Sequence, residues 1–261
     1  MVVKMKFRGW LKMNHFFAAP DDIRDDLVII RGQDVEHITQ ALRLNAGDEI
    51  TVADGQENKY LVELTALNEQ MVEGKIKEEL EADAESNLRI TLVQGLPKSK
   101  KMDLIVRKCT ELGIDKIIPL ETAHTVVKLD RKKAKKRQKR WQKIAKSAAK
   151  QSKRTKIPEI EDLISFKEGL ELLNDYDLVL LPWVDERNQG LKEVIKGQDT
   201  QEIKDILVFV GPEGGFSEEE AAQARKKEAE PVVLGPRTLR TETAGMAVLT
   251  MLLYELGDLG G

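Results

Sequence analysis

Ile206-Leu207-Val208-Phe209-Val210-Gly211-Pro212-Glu213-Gly214-Gly215-Phe216-Ser217 passes from an apolar run through a glycine-rich turn to a serine. Five apolar residues, rich in β-branched and aromatic side chains and closed by Gly-Pro, read as a buried strand. Ser217 with Glu220 has the spacing of a capping box, so a helix begins there. A strand that runs through a glycine turn into a helix is the repeating unit of an α/β sheet. Ligands of such sheets sit at the carboxyl ends of the strands, where glycine lets the backbone come close. An ordinary tight connection is the plain alternative. The turn matches neither G-x-x-x-x-G-K-[ST] nor G-x-G-x-x-G, so it points to a ligand other than a triphosphate.

The same rhythm extends in both directions. Downstream, Val232-Val233-Leu234 reads as a strand, Gly235-Pro236 as a turn, and a helix starts around Thr241 to Thr243 and runs to Leu256. Ala244, Ala247, Val248, Met251 and Leu252 keep the spacing of one buried helix face. Thr241 or Thr243 is the expected N-cap, and Arg240 and Glu242 crowd the same entrance without being needed for capping. Upstream, Arg89–Gln94, Lys116–Leu120 and Asp177–Leu181 read as strands, with helices over Met102–Leu112, stopped by Gly113, and Lys132–Lys153. Such alternation predicts a mostly parallel sheet flanked by helices. Before it, Leu27–Ile30, Glu49–Ala53, Tyr60–Leu64 and Met71–Ile76 are short β-like runs around a helical patch from Val35 to Leu42, which together predict a small barrel. The acidic run Glu78 to Glu85 reads as a linker. The predicted organisation is an extension over residues 1–12, ahead of a second methionine, Met13, a first domain over 13–86 and a second over 87–261.

Composition narrows the function classes. With 41% hydrophobic and 33% charged residues the 261-residue chain is a globular protein, with no apolar run near the ~20 residues of a membrane span and no signal peptide. Cys109 is the only cysteine, which excludes an intrachain disulfide and a Cys-based zinc site and fits a reducing cytoplasm. His15, His37 and His124 are scattered, so no metal is expected. The net charge of −3 hides an asymmetry: from Lys128 to Lys156 there are 15 Lys or Arg and a single acid, Asp130. Trp141, Ile144, Ala145 and Ala148 form one apolar stripe there, and cations cover the rest. A solvated helix is the plain reading, but so dense a run gains from a polyanion, and RNA contact is the expectation. Contact with ~6 phosphates would give a slope of about −4 to −5 for log affinity against log salt.

These segments resemble the ribosomal small subunit methyltransferase E family. The resemblance is carried by Gly211-Pro212-Glu213-Gly214-Gly215-Phe216-Ser217 with Glu220, and by Leu234-Gly235 with Leu239-Arg240-Thr241-Glu242-Thr243-Ala244. It extends through Leu96 to Pro119, with Lys98, Met102-Asp103, Lys108 and Glu111-Leu112-Gly113, and through Arg140-Trp141, Ile144, Ala148, Gln151, Arg154 and Ile157-Pro158. Near the start, His15-Phe16-Phe17, His37 and Leu42-Arg43 match as well. The resemblance implies a PUA-like β-barrel followed by a SPOUT α/β domain with a C-terminal trefoil knot, acting as a homodimer. It implies S-adenosylmethionine as cofactor and N3 of a uridine as target, in 16S rRNA or the assembled small subunit. Cofactor contacts are implied at Leu181, Pro182, Gly211, Pro212, Gly214, Gly215, Leu234, Gly235, Leu239, Thr241, Thr243 and Ala244, and RNA contacts at Arg43, Lys98, Lys108, Arg140, Gln151 and Arg154. His124 stands where the family has an arginine, and Ser147 and Lys150 where it has acids, at positions expected to face RNA or a second subunit.

Methylation at N3 requires the loss of the N3 proton from an unpaired or flipped base, with charge spreading onto the neighbouring carbonyl oxygens. A cation there stabilises it, which makes Arg240 the catalytic candidate, with Glu242 orienting the arginine or the cofactor. The alternatives are a SPOUT ribose 2′-O-methyltransferase and a non-catalytic RNA-binding protein, which would leave the two C-terminal motifs without purpose.

Overall fold

A computed structural model describes residues 13–82, 84–184, 186 and 189–260. The expected extension over 1–12 lies outside the described residues. The chain divides into two units, and not by a single cut after residue 86: the first runs to Glu85 and also takes in Ala149–Ile157, and the second holds the rest.

In the first unit, β1 (His15–Phe17), β2 (Ile23–Arg24), β3 (Leu27–Arg31), β4 (Glu49–Ala53), β5 (Lys59–Leu67) and β6 (Met71–Leu80) form one sheet in the order β1-β4-β5-β6-β3-β2. The β1–β4 ladder is parallel and the others antiparallel. The expected barrel is thus a six-stranded sheet with no ladder joining β1 to β2 among the described residues. Register shifts at Leu61/Val62 and Leu64/Ala66 break the β5–β6 ladder, the kind of irregularity that bends a strand. Helix α1 (Gln33–Glu36) passes into a π turn at His37–Ala41, and both lean Val35 and Ile38 onto the sheet's core of Phe16, Ile30, Ile50, Val62 and Val72.

Two expectations are corrected here. Glu78 to Leu80 are not linker: they extend β6, opposite Lys59 to Leu61. Arg154 is not free to meet RNA, because its side chain is 4% exposed and pairs with Glu85 at 2.7 Å. The other Glu85 oxygen accepts from the backbone N–H groups of Thr155, at 2.8 Å, and Lys156, at 3.0 Å. The Arg154 carbonyl accepts from His15 Nε2 at 3.0 Å, while His15 Nδ1 meets the Thr51 hydroxyl at 2.9 Å. Burial lowers the His15 pKa to about 4, so the ring is neutral and its Nε2 carries the proton. Ala149 and Ile157 complete the attachment by packing on Phe17 and Ala53.

The second unit contains β7 (Arg89–Gly95), α2 (Lys101–Leu112), β8 (Lys116–Glu121), α3 (Arg131–Gln151, of which the last three residues count with the first unit), β9 (Glu159–Ile160), β10 (Ile164–Ser165), α4 (Phe166–Glu171), β11 (Leu178–Pro182), α5 (Leu191–Lys196), β12 (Asp205–Val210), α6 (Glu218–Lys226), β13 (Glu230–Val232) and α7 (Thr241–Leu256). All ladders are parallel, in the order β10-β8-β7-β12-β11-β13, with β9 also on β8. The run Ile206 to Val210 is apolar throughout because both faces are covered. Ile206, Val208 and Val210 enter the core under α2 and α7, and Leu207 and Phe209 enter the opposite core with Phe166 and Ala221. Gly113 (φ +107°) ends α2, and the Ser217–Glu220 capping box opens α6. Strand β13 lies two residues earlier than expected and includes Pro231 on the sheet's edge, where a missing N–H costs no ladder bond.

Removing one partner of a buried pair leaves the other uncompensated. Glu85→Ala is expected to lower the unfolding free energy of the first unit by about 3–5 kcal/mol in a urea titration; an unchanged curve would contradict the clamp.

Candidate functional site

Strands β11, β12 and β13 end on the same side of the sheet, and the loops that follow them enclose a cavity of about 920 Å³. The sequence order departs from β7 toward β8 on one side and toward β12 on the other, so the cavity lies where open α/β sheets place their ligands. Pro182, Gly211, Pro212, Gly214, Gly215, Leu234, Gly235, Leu239, Arg240, Thr241 and Ala244 line it, with Trp183 and Lys101. Two residues named from sequence do not: Leu181 is 0% exposed in the core beneath the pocket, and Thr243 points to solvent from the first turn of α7.

Hydrogen bonds tie the walls together. Thr241 donates its hydroxyl to the Gly211 carbonyl at 2.6 Å and accepts from Gln94 Nε2 at 2.9 Å. The same Gln94 nitrogen donates to the Gly95 carbonyl at 3.0 Å. Neither Thr241 nor Thr243 caps α7: Arg240 is the N-cap, its extended backbone (φ −69°, ψ 154°) accepting at its carbonyl from the N–H groups of Thr243 and Ala244. Thr241 is freed to turn inward. A Cβ at Gly95 would lie 2.5 Å from Pro212, and one at Gly211 2.9 Å from Gly215, so strand end and turn touch backbone to backbone.

The turn is held from outside as well. Glu220 uses one carboxylate oxygen for the capping box and the other to accept from the Ala123 N–H at 2.8 Å. That places His124 beside the glycines, where Nδ1 donates to the Gly214 carbonyl at 2.9 Å. His124 therefore supports the turn while remaining exposed. Ser147 is exposed, and Lys150 pairs with Asp34 at 2.6 Å and lies over the Phe16 ring.

The electrostatic centre of the site is a residue the sequence reading missed. Lys101 Nζ lies 3.0 Å from Glu213 and 3.1 Å from Glu242. Glu242 thus pairs with Lys101, and Arg240 is exposed at the rim with no carboxylate partner among the described residues. Hydrogen bonds donated to Glu213 first and then to Glu242 raise the lysine's pKa. Burial opposes ionisation of both acids, yet Lys101 and nearby backbone N–H groups hold each below the usual carboxylate range. The trio carries one net negative charge at neutral pH.

The residues named for RNA contact are divided between the two units. Arg43 (exposed, φ +54°), Gln151 and Arg154 belong to the first unit, and Lys98, Lys108 and Arg140 to the second. Lys98 is exposed and donates its backbone N–H to Glu213 at 3.1 Å; Lys108 pairs with Glu111 and Arg140 with Asp103.

Residues 84–253 match the family model described as an RNA methyltransferase domain, and residues 30–77 match an RNA methyltransferase PUA domain. The ribosomal RNA small subunit methyltransferase E of Bacillus subtilis is 36% identical over 236 residues, covering 89% of this chain and 91% of that protein. The protein of that name from Aquifex aeolicus is 31% identical, covering 92% and 99%. Among solved structures, the Neisseria gonorrhoeae protein of that name, bound to S-adenosyl methionine, superposes with a TM-score of 0.83 at 31% identity, covering 95% of this chain and 99% of that one.

Thr241→Val strands the Gly211 carbonyl and one Gln94 proton, and is expected to cost about 2 kcal/mol in thermal unfolding, whereas Thr241→Ser costs under about 1 kcal/mol. Equal losses for the two variants would contradict a role for the hydroxyl.

Proposed function

The chain belongs to the RNA methyltransferase family whose relatives are named ribosomal RNA small subunit methyltransferase E, and we propose that it transfers a methyl group from S-adenosylmethionine to N3 of a uridine in 16S rRNA. The observation that carries this reading is the cavity closed by the Gln94–Thr241–Gly211 bonds. Its lining includes the glycines of two turns, and the net negative trio of Lys101, Glu213 and Glu242 suits a ligand with a sulfonium cation. Gly215 (φ +68°) and Gly235 (φ +138°) have nothing within 4 Å of a would-be Cβ, so their backbone faces open space. The volume also lies within the ~300–1,000 Å³ of small-molecule sites.

Pro182, Gly211, Pro212, Gly214, Gly215, Leu234, Gly235, Leu239, Thr241 and Ala244 would hold the cofactor, which supplies an electrophilic methyl group when bound. Arg240, uncommitted at the rim, stabilises negative charge on the uridine carbonyl oxygens as the N3 proton leaves. Glu242 is fixed by Lys101 and orients the entrance of α7. Arg43, Lys98, Lys108, Arg140 and Gln151 would contact RNA, and Arg154 acts inside the first unit. The reading includes the PUA-like barrel, the SPOUT trefoil knot, a homodimer, and action in the cytoplasm on 16S rRNA or the assembled subunit. What supports the knot is that residues 233–240 flank the same cavity as the Gly211–Gly215 turn before α7 packs on β7 and β12. No helix among the described residues is long and apolar enough to cross a membrane.

Titration calorimetry is expected to show S-adenosylmethionine binding that is lost in Gly215→Trp; no binding by the folded unaltered protein would sink the reading. Arg240→Ala is expected to reduce kcat by about 10²–10³-fold with little change in cofactor affinity. Equal loss of both would reassign Arg240 to cofactor binding.

A further inference from the structure

Among the cations of helix α3, two groups stand out. Lys133, Lys135 and Arg140 each have a carboxylate partner, in Asp130, Asp162 and Asp103. Lys132, Lys136, Lys139, Lys143 and Lys146 are all exposed and have no carboxylate partner among the described residues. Their steps of four, three, four and three residues put them within about 80° of arc, at about 100° per residue, in a row ~21 Å long. Trp141, Ala145 and Ala148, which are 4%, 0% and 6% exposed, occupy the opposite face and bury it in the core or against it. Lys136, Lys139, Lys143, Arg140, Ile144 and Ser147 outline a shallow trough along the row. The five unpaired lysines thus form one continuous cationic face.

We propose that this five-lysine face is a docking surface for the sugar–phosphate backbone of the RNA substrate, a reading that rests on the rRNA methyltransferase assignment above. Five like charges on neighbouring turns repel one another, and a polyanion that displaces its own counterions relieves the repulsion. An anionic membrane is the weaker fit: a helix that lies on a bilayer inserts its apolar face, and here that face is covered by the protein. The lysines contact phosphates and carry no base specificity, so they hold the substrate while the pocket selects the nucleotide. None of the five lines the cavity.

The test is binding of a fluorescein-labelled 16S rRNA transcript across a salt series, with full-length protein and the variant K132Q/K136Q/K139Q/K143Q/K146Q. At about 0.7 per phosphate for single-stranded RNA, the slope of log affinity against log salt is expected to flatten by about 3–4. The KM for rRNA should rise, with kcat, cofactor affinity and the circular dichroism spectrum unchanged. A K133Q/K135Q variant, which removes paired lysines, should flatten the slope by less than about 1. A wild-type slope in the five-lysine variant, or an equal change in the paired-lysine variant, overturns the proposal while rRNA methylation by the unaltered protein leaves the assigned reaction standing. Loss of binding to phosphatidylglycerol vesicles with no change in the RNA slope would move the surface to membranes and also overturn it. Failure of the unaltered protein both to bind and to methylate rRNA overturns the surface and the reaction together.

Discussion

The hydroxyl of Thr241 is the joint on which the second unit's chemistry depends. It has one proton to give, and the Gly211 carbonyl at 2.6 Å takes it; its lone pairs receive Gln94 Nε2 at 2.9 Å. Three distant stretches, the end of β7, the turn after β12 and the start of α7, are thereby held at bonding distance. Gln94 is 0% and Thr241 6% exposed, so water does not compete for these bonds and each is costly to lose. The glycines belong to the same constraint: Gly95 and Gly211 have no Cβ because the backbone of the neighbouring wall already occupies that space. The tight glycine turn on one wall of the cavity follows from that packing.

Charge is organised at two scales. Beside the cavity, Lys101 compensates only one of two carboxylates, which leaves a small negative bias suited to a cationic group. Along α3, selected cations are compensated by aspartates and one face is not. The net charge of −3 averages these opposite arrangements away, and for this protein the placement of charge carries the functional information.

Sequence legibility followed the range of the interactions. The buried strand Ile206–Val210, the Ser217–Glu220 box and the Gly113 stop are local and were readable, because each depends on neighbours within a few residues. The cavity-lining glycines were readable for the same reason. Lys101 was not, since its partners Glu213 and Glu242 come from a remote turn and the first turn of a remote helix, and a lysine at a helix start gives no local signal of pairing. Arg154 looked like one more cation in a basic run; only its meeting with Glu85 shows it to be buried. The support that His124 gives to the glycine turn has no local signal, because its partner Gly214 lies 90 residues away in the chain. Helices α4 and α5, at six residues each, are too short to display a helical period. Capping of α7 was misassigned because Thr241 spends its hydroxyl on tertiary contact instead of on its own helix.

The position that receives the methyl group decides what the cavity and Arg240 are for. Incubating 16S rRNA with the protein and methyl-labelled S-adenosylmethionine, then digesting to nucleosides for mass spectrometry, identifies it directly. Label is expected in N3-methyluridine, whereas label in a 2′-O-methylated nucleoside, with none in the base, would contradict base methylation at this site.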